Sequence, residues 1–337
     1  MSQITKSNFT KVLLVSTALI AVAACSSDNA VTTAAPVTPP PVVVVTPPAT
    51  QDTLASVAVG TNLAMAAHAG VESFTFSNGA QAAAESAIPA GALQANPTAS
   101  YIKTANGFTL TLPDGQSATF NTTAGATTAS PASFPVGSTN GTSEYQSQIT
   151  GGTNTVNVMA TNGKASPLTY STYGIWVESV RVNTPITAGT YATGIVTTSA
   201  QMPTSGSATY SGHLTGFVIA PTAGANITDG AVTLNANFGT NTISGGITGI
   251  TTAHGGATPI VGQMNDITLT GGTISNAGFS GTAIAAAAAS GTSINVAGAN
   301  GTFGGKFYGP GAAEAAGSLT LTGGGSTVVG SFGAKKP

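Results

Sequence analysis

The sequence has little charge. Of its 337 residues, 5% are Asp, Glu, Lys or Arg, against roughly 25% in an ordinary soluble domain. The formal net charge is -2, an overall balance that reads against nucleic acid as a partner. Cysteine is nearly absent. Cys25 stands alone, which rules out an intrachain disulfide framework. The three histidines, His68, His213 and His254, do not have metal-ligand spacing. No Gly-x-Ser-x-Gly elbow occurs, and Gly151-Gly152 runs into Thr153 instead of a phosphate loop. No two carboxylates share a local motif that would mark a catalytic pair. These absences leave no catalytic and no metal-binding residues to nominate, and they read against an enzyme.

What is abundant is small. Glycine reaches 44 residues but keeps no three-residue period, so collagen is excluded. Alanine, threonine, serine and asparagine supply most of the rest. Low charge with 41% hydrophobic residues also separates the chain from ordinary disorder, which combines high net charge with low hydrophobicity. The composition suits an extracellular β-protein whose surface is made of Thr, Ser and Asn.

The N-terminal stretch sets an expectation of location. Lys6 and Lys11 form a short positive region, and Val12 to Ala24 is a mostly apolar run, too short to span a bilayer comfortably and right for a signal peptide. It ends in Val22-Ala23-Ala24-Cys25, which resembles a bacterial lipobox. On that reading residues 1–24 are a lipoprotein signal, and Cys25 is diacylated and becomes the first mature residue. Several acyl chains make a lasting contact with the lipid bilayer where one does not. Ser26 in place of an acidic residue favours export to the outer membrane. Removing residues 1–24 leaves six basic residues against ten acidic ones. Residues 25–50 then form a tether, because the prolines from Pro36 to Pro48 around Val42-Val43-Val44-Val45 favour an extended spacer.

Residues 51–160 read as a small β-rich domain. Leu54 to His68 has helix-forming composition broken by Gly60. Tyr101 to Leu112 reads as a hairpin turned at Asn106-Gly107. From about residue 165 the rhythm is regular. Short strands beginning with Leu168 to Val180 are joined by Gly, Asn and Asp turns. Val232-Thr233-Leu234-Asn235-Ala236-Asn237-Phe238 alternates with period two, the pattern of a strand with one buried and one wet face. An antiparallel meander of eight to ten strands follows. Closing it would satisfy edges that an uncharged open sheet leaves exposed. The strands read as too short for a membrane-spanning barrel, which needs about 9–11 residues each.

Three pieces near the C-terminus carry a family resemblance. They are Gly305-Lys306-Phe307-Tyr308-Gly309-Pro310, Ala313-Glu314-Ala315-Ala316-Gly317, and Val328-Val329-Gly330-Ser331-Phe332-Gly333-Ala334-Lys335. Gly206 to Gly212, Leu234 to Gly239, Gly278 to Ala283 and Gly174-Ile175-Trp176 fit as well. Together they resemble the β-barrel domain of the transferrin-binding protein B family of bacterial surface lipoproteins, over residues 165–337. The resemblance implies an all-β fold, a soluble antiparallel eight-stranded barrel preceded by a small handle-like subdomain, here in a single lobe. Read from the residues, Gly309-Pro310 ends a strand, Glu314 accepts backbone N–H groups within its own link, and Phe307, Tyr308 and Phe332 supply aromatic packing, with alternate side chains pointing inward. With Gly317 and Gly333 these positions form a barrel-closing motif with a structural role.

The resemblance also implies a function. Such a lipoprotein binds a host- or environment-derived ligand (haem, a haemoprotein or another iron source) and passes it to a TonB-dependent outer-membrane receptor, with a surface lipoprotein exporter as a further partner. Axial candidates for haem are His68, His213, His254, Tyr101 and Tyr145. The alternative is a surface adhesin or structural lipoprotein with no cofactor. Scarce charge and room for one lobe only both weaken transferrin as the ligand.

Overall fold

The computed structural model describes residues 51–337 apart from segments 65–66, 78–79, 84–99, 112–116, 122–143, 152–153, 162–167, 181–185, 221–223, 255–259 and 289–290. The expectations for the signal, Cys25 and the tether, residues 1–50, lie outside the described residues. Nineteen strands are described: β1 (Asn62–Ala64), β2 (Ala67–Ser77), β3 (Ala80–Ala83), β4 (Ser100–Thr104), β5 (Gly107–Thr111), β6 (Ser117–Asn121), β7 (Glu144–Gly151), β8 (Asn154–Thr161), β9 (Ser171–Val180), β10 (Ile186–Gly194), β11 (Ser207–Ala220), β12 (Gly224–Asn237), β13 (Thr242–His254), β14 (Ile260–Gln263), β15 (Ile267–Ser275), β16 (Gly278–Ala285), β17 (Asn300–Tyr308), β18 (Glu314–Gly323) and β19 (Ser326–Lys335). One short 3-10 turn, Ser199–Gln201, lies between β10 and β11. Where helix-forming composition suggested a helix over 54–68, the chain makes a turn and then enters β1 and β2; strand pairing overrides local propensity there.

Three sheets result. β1, β4, β5 and β6 form a small one, and a second has the order β3-β2-β10-β9-β8-β7. The third runs β12-β11-β19-β18-β17-β16-β15-β13, and β12 also pairs with β13, so eight antiparallel strands close on themselves. β14 hangs from the end of β13 as a short extension. The strand over Leu168 to Val180, expected to open the barrel, belongs instead to the six-stranded sheet. As β9 it pairs with β8 and β10, and β10 pairs with β2, more than a hundred residues earlier. The barrel strands therefore begin at Ser207, not near residue 165.

Inside the barrel, apolar side chains fill the space. Phe279 packs 5.2 Å from Phe307 and 6.3 Å from both Phe303 and Phe332, centroid to centroid. Leu214, Leu234, Ile247, Leu269, Leu319 and Val328 belong to the same cluster. One end is closed by Tyr210, Phe238 and Ala312, and the other by Met264, Ile294, Val296 and Ala299. The last three lie on the crossover between β16 and β17. Buried Asn265 pins that crossover, accepting from Val296 N–H (2.7 Å) and donating to the Ala286 carbonyl (3.0 Å). Outside, Thr209, Asn235, Ser244, Thr270, Thr282 and Thr302 are exposed.

Strand length does not separate this barrel from a membrane-spanning one. Its strands run from 8 residues in β16 to 14 in β11 and β12, long enough to cross. Polarity does separate them. A spanning barrel turns an apolar band outward, whereas this one turns its apolar residues inward and hydroxyls outward.

The hairpin of β18 and β19 breaks the alternation seen elsewhere. Glu314 to Leu321 is buried throughout, as is Val328 to Ala334. Ala315, Leu319, Leu321, Phe332 and Ala334 face the barrel core. The opposite face docks the six-stranded sheet, where Ala316 joins Leu168, Tyr173, Ala192 and Tyr308 in a second cluster. Ser331 Oγ donates to the Gly174 carbonyl (2.7 Å) across this junction. A side chain at Gly333 would overlap the Tyr173 ring and Leu168. Gly333→Val is therefore expected to cost about 1–3 kcal/mol by overpacking, read as a lower urea midpoint. A variant as stable as the parent would show that the two faces do not press together.

Candidate functional site

Among the described residues no group of three or more His, Cys, Asp or Glu side chains converges to hold a metal ion. The densest polar chemistry is structural, and it lies where the six-stranded sheet meets the barrel. Glu314, 3% exposed, opens β18. One carboxylate oxygen accepts from Thr169 N–H (2.5 Å). The other accepts from Tyr170 N–H (3.1 Å), Ser171 N–H (2.9 Å) and Ser171 Oγ (2.8 Å). Three consecutive backbone donors thus converge on one carboxylate. Glu314 does not fix its own link, as the sequence suggested; its partners lie 143 to 145 residues away. A charge removed from water needs such a set of donors. Burial pushes the Glu314 carboxyl above its ordinary value, and the four hydrogen bonds pull against that rise.

Other strand ends converge on the same place. Val196 bridges to Tyr308, Thr197 N–H donates to the Phe307 carbonyl (2.9 Å), and Gly309 N–H donates to the Ile195 carbonyl (2.9 Å). Thr197 Oγ1 donates to the Gly309 carbonyl (2.7 Å). Gly309 has φ +72°, and a side chain there would overlap the Tyr170 ring, so two independent constraints demand glycine. The lead-in from the N-terminal side ends here too: Leu54 N–H donates to the Thr169 carbonyl (2.9 Å) and Gln51 Nε2 to the Val196 carbonyl (2.9 Å).

The expected motif residues divide between two jobs. Phe307 and Phe332 point into the barrel core, whereas Tyr308 points the other way, into the junction cluster. The half-buried Pro310 sits in the loop over 309–313. Gly317 lies where a side chain would strike the backbone of Gly304 and Gly305 on β17. Lys336, which the sequence did not single out, caps that end. Its Nζ donates to the Gly311 carbonyl (2.7 Å) and lies 5.7 Å from the ring centroids of both Tyr210 and Phe238, within cation–π range. Burial lowers its pKa.

Of the haem candidates, Tyr101 and His213 have described side chains, and no metal-binding group of His, Cys, Asp or Glu gathers around either among the described residues. Tyr101 is buried and stacked on Phe108 at 4.5 Å. His213 is partly buried on the barrel wall, with Nδ1 3.5 Å from Asp229 Oδ1. The side chains of His68, His254 and Tyr145 lie outside the described residues.

Glu314→Ala leaves three N–H groups and a hydroxyl without their acceptor and is expected to cost on the order of 3 kcal/mol or more; Glu314→Gln, which turns one acceptor into a donor, is expected to cost about 1–2 kcal/mol. Because the folded carboxyl binds its proton more tightly than the unfolded one, its contribution to stability is greatest below the ordinary carboxylate value. It falls as pH rises through the raised one. Denaturant titrations at stepped pH should show that fall in the parent and not in Glu314→Gln. Tyr308 gives the opposite expectation. Its buried hydroxyl has no hydrogen-bond partner among the described residues, and burial, then the Glu314 charge, push its pKa up. Tyr308→Phe should match or exceed the parent in stability, by up to about 1 kcal/mol.

Comparison with known proteins follows the barrel. No curated protein matches the chain. Among solved structures, a transferrin binding protein B mutant from Haemophilus parasuis is 17% identical, with a TM-score of 0.46 over 81% of this chain and 45% of that one. The isotype 1 transferrin binding protein B from serogroup B Neisseria meningitidis is 19% identical, with a TM-score of 0.43 over 80% and 43%. The N-lobe domain of lactoferrin binding protein B from Moraxella bovis is 14% identical, with a TM-score of 0.34 over 83% and 100%. The chain spans under half the length of the two transferrin binding proteins. A family model describing the C-lobe and N-lobe β-barrels of Tf-binding protein B matches residues 202–336, which begin five residues before β11 and end one after β19. Residues 202–336 are thus similar to the β-barrels of Tf-binding protein B.

Proposed function

We propose that this chain is an outer-membrane surface lipoprotein, acylated at Cys25, with an adhesive or structural role and no cofactor. The observation that supports this reading is the filled barrel. Aromatic and aliphatic side chains occupy its interior and both ends, so recognition is left to loops, the outer wall and the handle-like sheets. The latch at Glu314 fits the same role, because a carrier of surface contacts gains from a rigid joint between its two halves. The six-stranded sheet and the small sheet serve as the handle.

A second reading has one observation in its favour, the family match over the barrel. In it the protein captures haem, a haemoprotein or another iron source and passes it to a TonB-dependent receptor, after a surface lipoprotein exporter has brought it outside.

One measurement separates these readings, and a second tests the surface anchor that both share. Titration of the purified protein with haem is expected to leave the Soret band where free haem has it; a stoichiometric shift would favour capture and overturn the cofactor-free reading. Cells making the parent chain are expected to lose it to added protease, and cells making Cys25→Ser are expected to lose it from the membrane fraction. Protein that stays membrane-bound after Cys25→Ser would end the acylation reading.

A further inference from the structure

The charges of the barrel are sorted along its axis. Residues 207–337 contain Asp229, Asp266, Lys306, Glu314, Lys335 and Lys336 as their only acids and bases besides histidine. All three lysines lie at the end where β17 and β19 finish. Lys306 pairs with Ala316, and Lys335 with Glu314. On β17 and β19 they face outward two strands apart, about 10 Å, and Lys336 caps the same end. Glu314 shares that end, but its carboxylate is buried and spent on four donors. Asp266 lies at the opposite end, accepting from Gly249 N–H (2.9 Å), and Asp229 lies in that half of β12, five residues from its start. In a barrel with so little charge, this sorting produces a field along the axis, positive at one mouth and negative at the other.

The chain enters the fold at the lysine mouth. Gln51 bonds to Val196, and Val196 bridges to Tyr308 at the end of β17. Asp52, the acid at this entry, is outweighed by the three lysines. The connections at this mouth are short, residues 238–241, 276–277 and 309–313. The aspartate mouth carries the longer crossover over 286–299 and the β14 extension. Two independent features therefore distinguish the mouths in the same sense: where the tether arrives and which sign of charge is shown.

We propose that the lysine mouth rests on an anionic lipid surface, that of the bilayer carrying the anchor, and that the aspartate mouth with its longer loops points away from it. This rests on the reading of Cys25 as the anchor point. Each lysine close to an anionic surface is worth roughly fivefold in partitioning, so Lys306 and Lys335 give roughly twentyfold, the Lys336 amine being held by its cap. A tether like residues 26–50 holds the domain near the surface at an effective concentration of about millimolar, where so modest an attraction suffices to set orientation. Exposed charges act within about 10 Å at ordinary salt, so the orientation should be lost at high salt.

The test uses the mature chain with the Cys25 thiol coupled to a maleimide lipid, which supplies the anchor whether or not cells acylate it. It is placed on vesicles of phosphatidylcholine or of an equal mixture with phosphatidylglycerol. Acetylation rates of Lys306 and Lys335 are read by mass spectrometry against Lys103. On the anionic vesicles both lysines are expected to react several-fold more slowly, with the difference erased by high salt. Amide exchange over 309–313 should slow in parallel while 286–299 is unchanged. The double variant Lys306→Gln, Lys335→Gln, which leaves the Lys336 cap in place, should lose that protection while keeping its unfolding midpoint. Equal labelling on both vesicles, or protection at 286–299 instead, overturns the proposal. Absence of lipid on Cys25 in protein made by cells would overturn the anchor reading by itself.

Discussion

One hairpin has to be buried on both faces, and much of the architecture follows from that. β18 and β19 close the barrel with their inward residues and support the six-stranded sheet with their outward ones. A strand in an antiparallel barrel ordinarily keeps one wet face. Here the outward positions 316, 318, 320, 329, 331 and 333 are Ala, Ser, Thr, Val, Ser and Gly. Small residues allow a second layer to come close, and hydroxyls can satisfy backbone groups across it, as Ser331 does for Gly174. Larger residues there would hold the sheet away; charged ones would be stranded.

Glu314 sits at the end of that double-faced hairpin and gives the joint its direction. Apolar packing is insensitive to small rotations of one layer over another. A carboxylate accepting from three successive N–H groups is not, because each bond constrains the angle of the same short segment. The joint thus combines an apolar contact that supplies most of the area with a polar contact that fixes the register of β9. It also gathers the chain's own entry, through Gln51 and Leu54, so three separate stretches of sequence meet at one point.

Much of the barrel was legible in the sequence. The alternation of Val232 to Phe238 became β12, with Val232, Leu234, Ala236 and Phe238 buried and Thr233 and Asn235 exposed. The aromatic and glycine pattern around Phe307 and Phe332 marked core positions. What was misread shares one cause. Residues 171–180 have the same strand composition as the barrel strands after them, and nothing local says that β10 will pair with β2 instead of feeding the barrel. The second buried face was hidden for a similar reason. Thr320, buried under the sheet, and Thr302, exposed on the open wall, are the same residue type at matching positions of neighbouring strands. Composition cannot separate them.

By itself the sequence determined the strand period, the turns, the inward aromatic residues and the scarcity of catalytic chemistry, because each depends on neighbours a few residues apart. It also carried the family resemblance of the barrel. Only the tertiary structure decided where the barrel begins, which face of β18 and β19 is covered, and that Glu314 holds residues 169–171. It also decided that the few charges sort to opposite mouths. Each of these depends on pairings between positions far apart in the chain, where local preference is silent and the choice is made by which faces can be buried together.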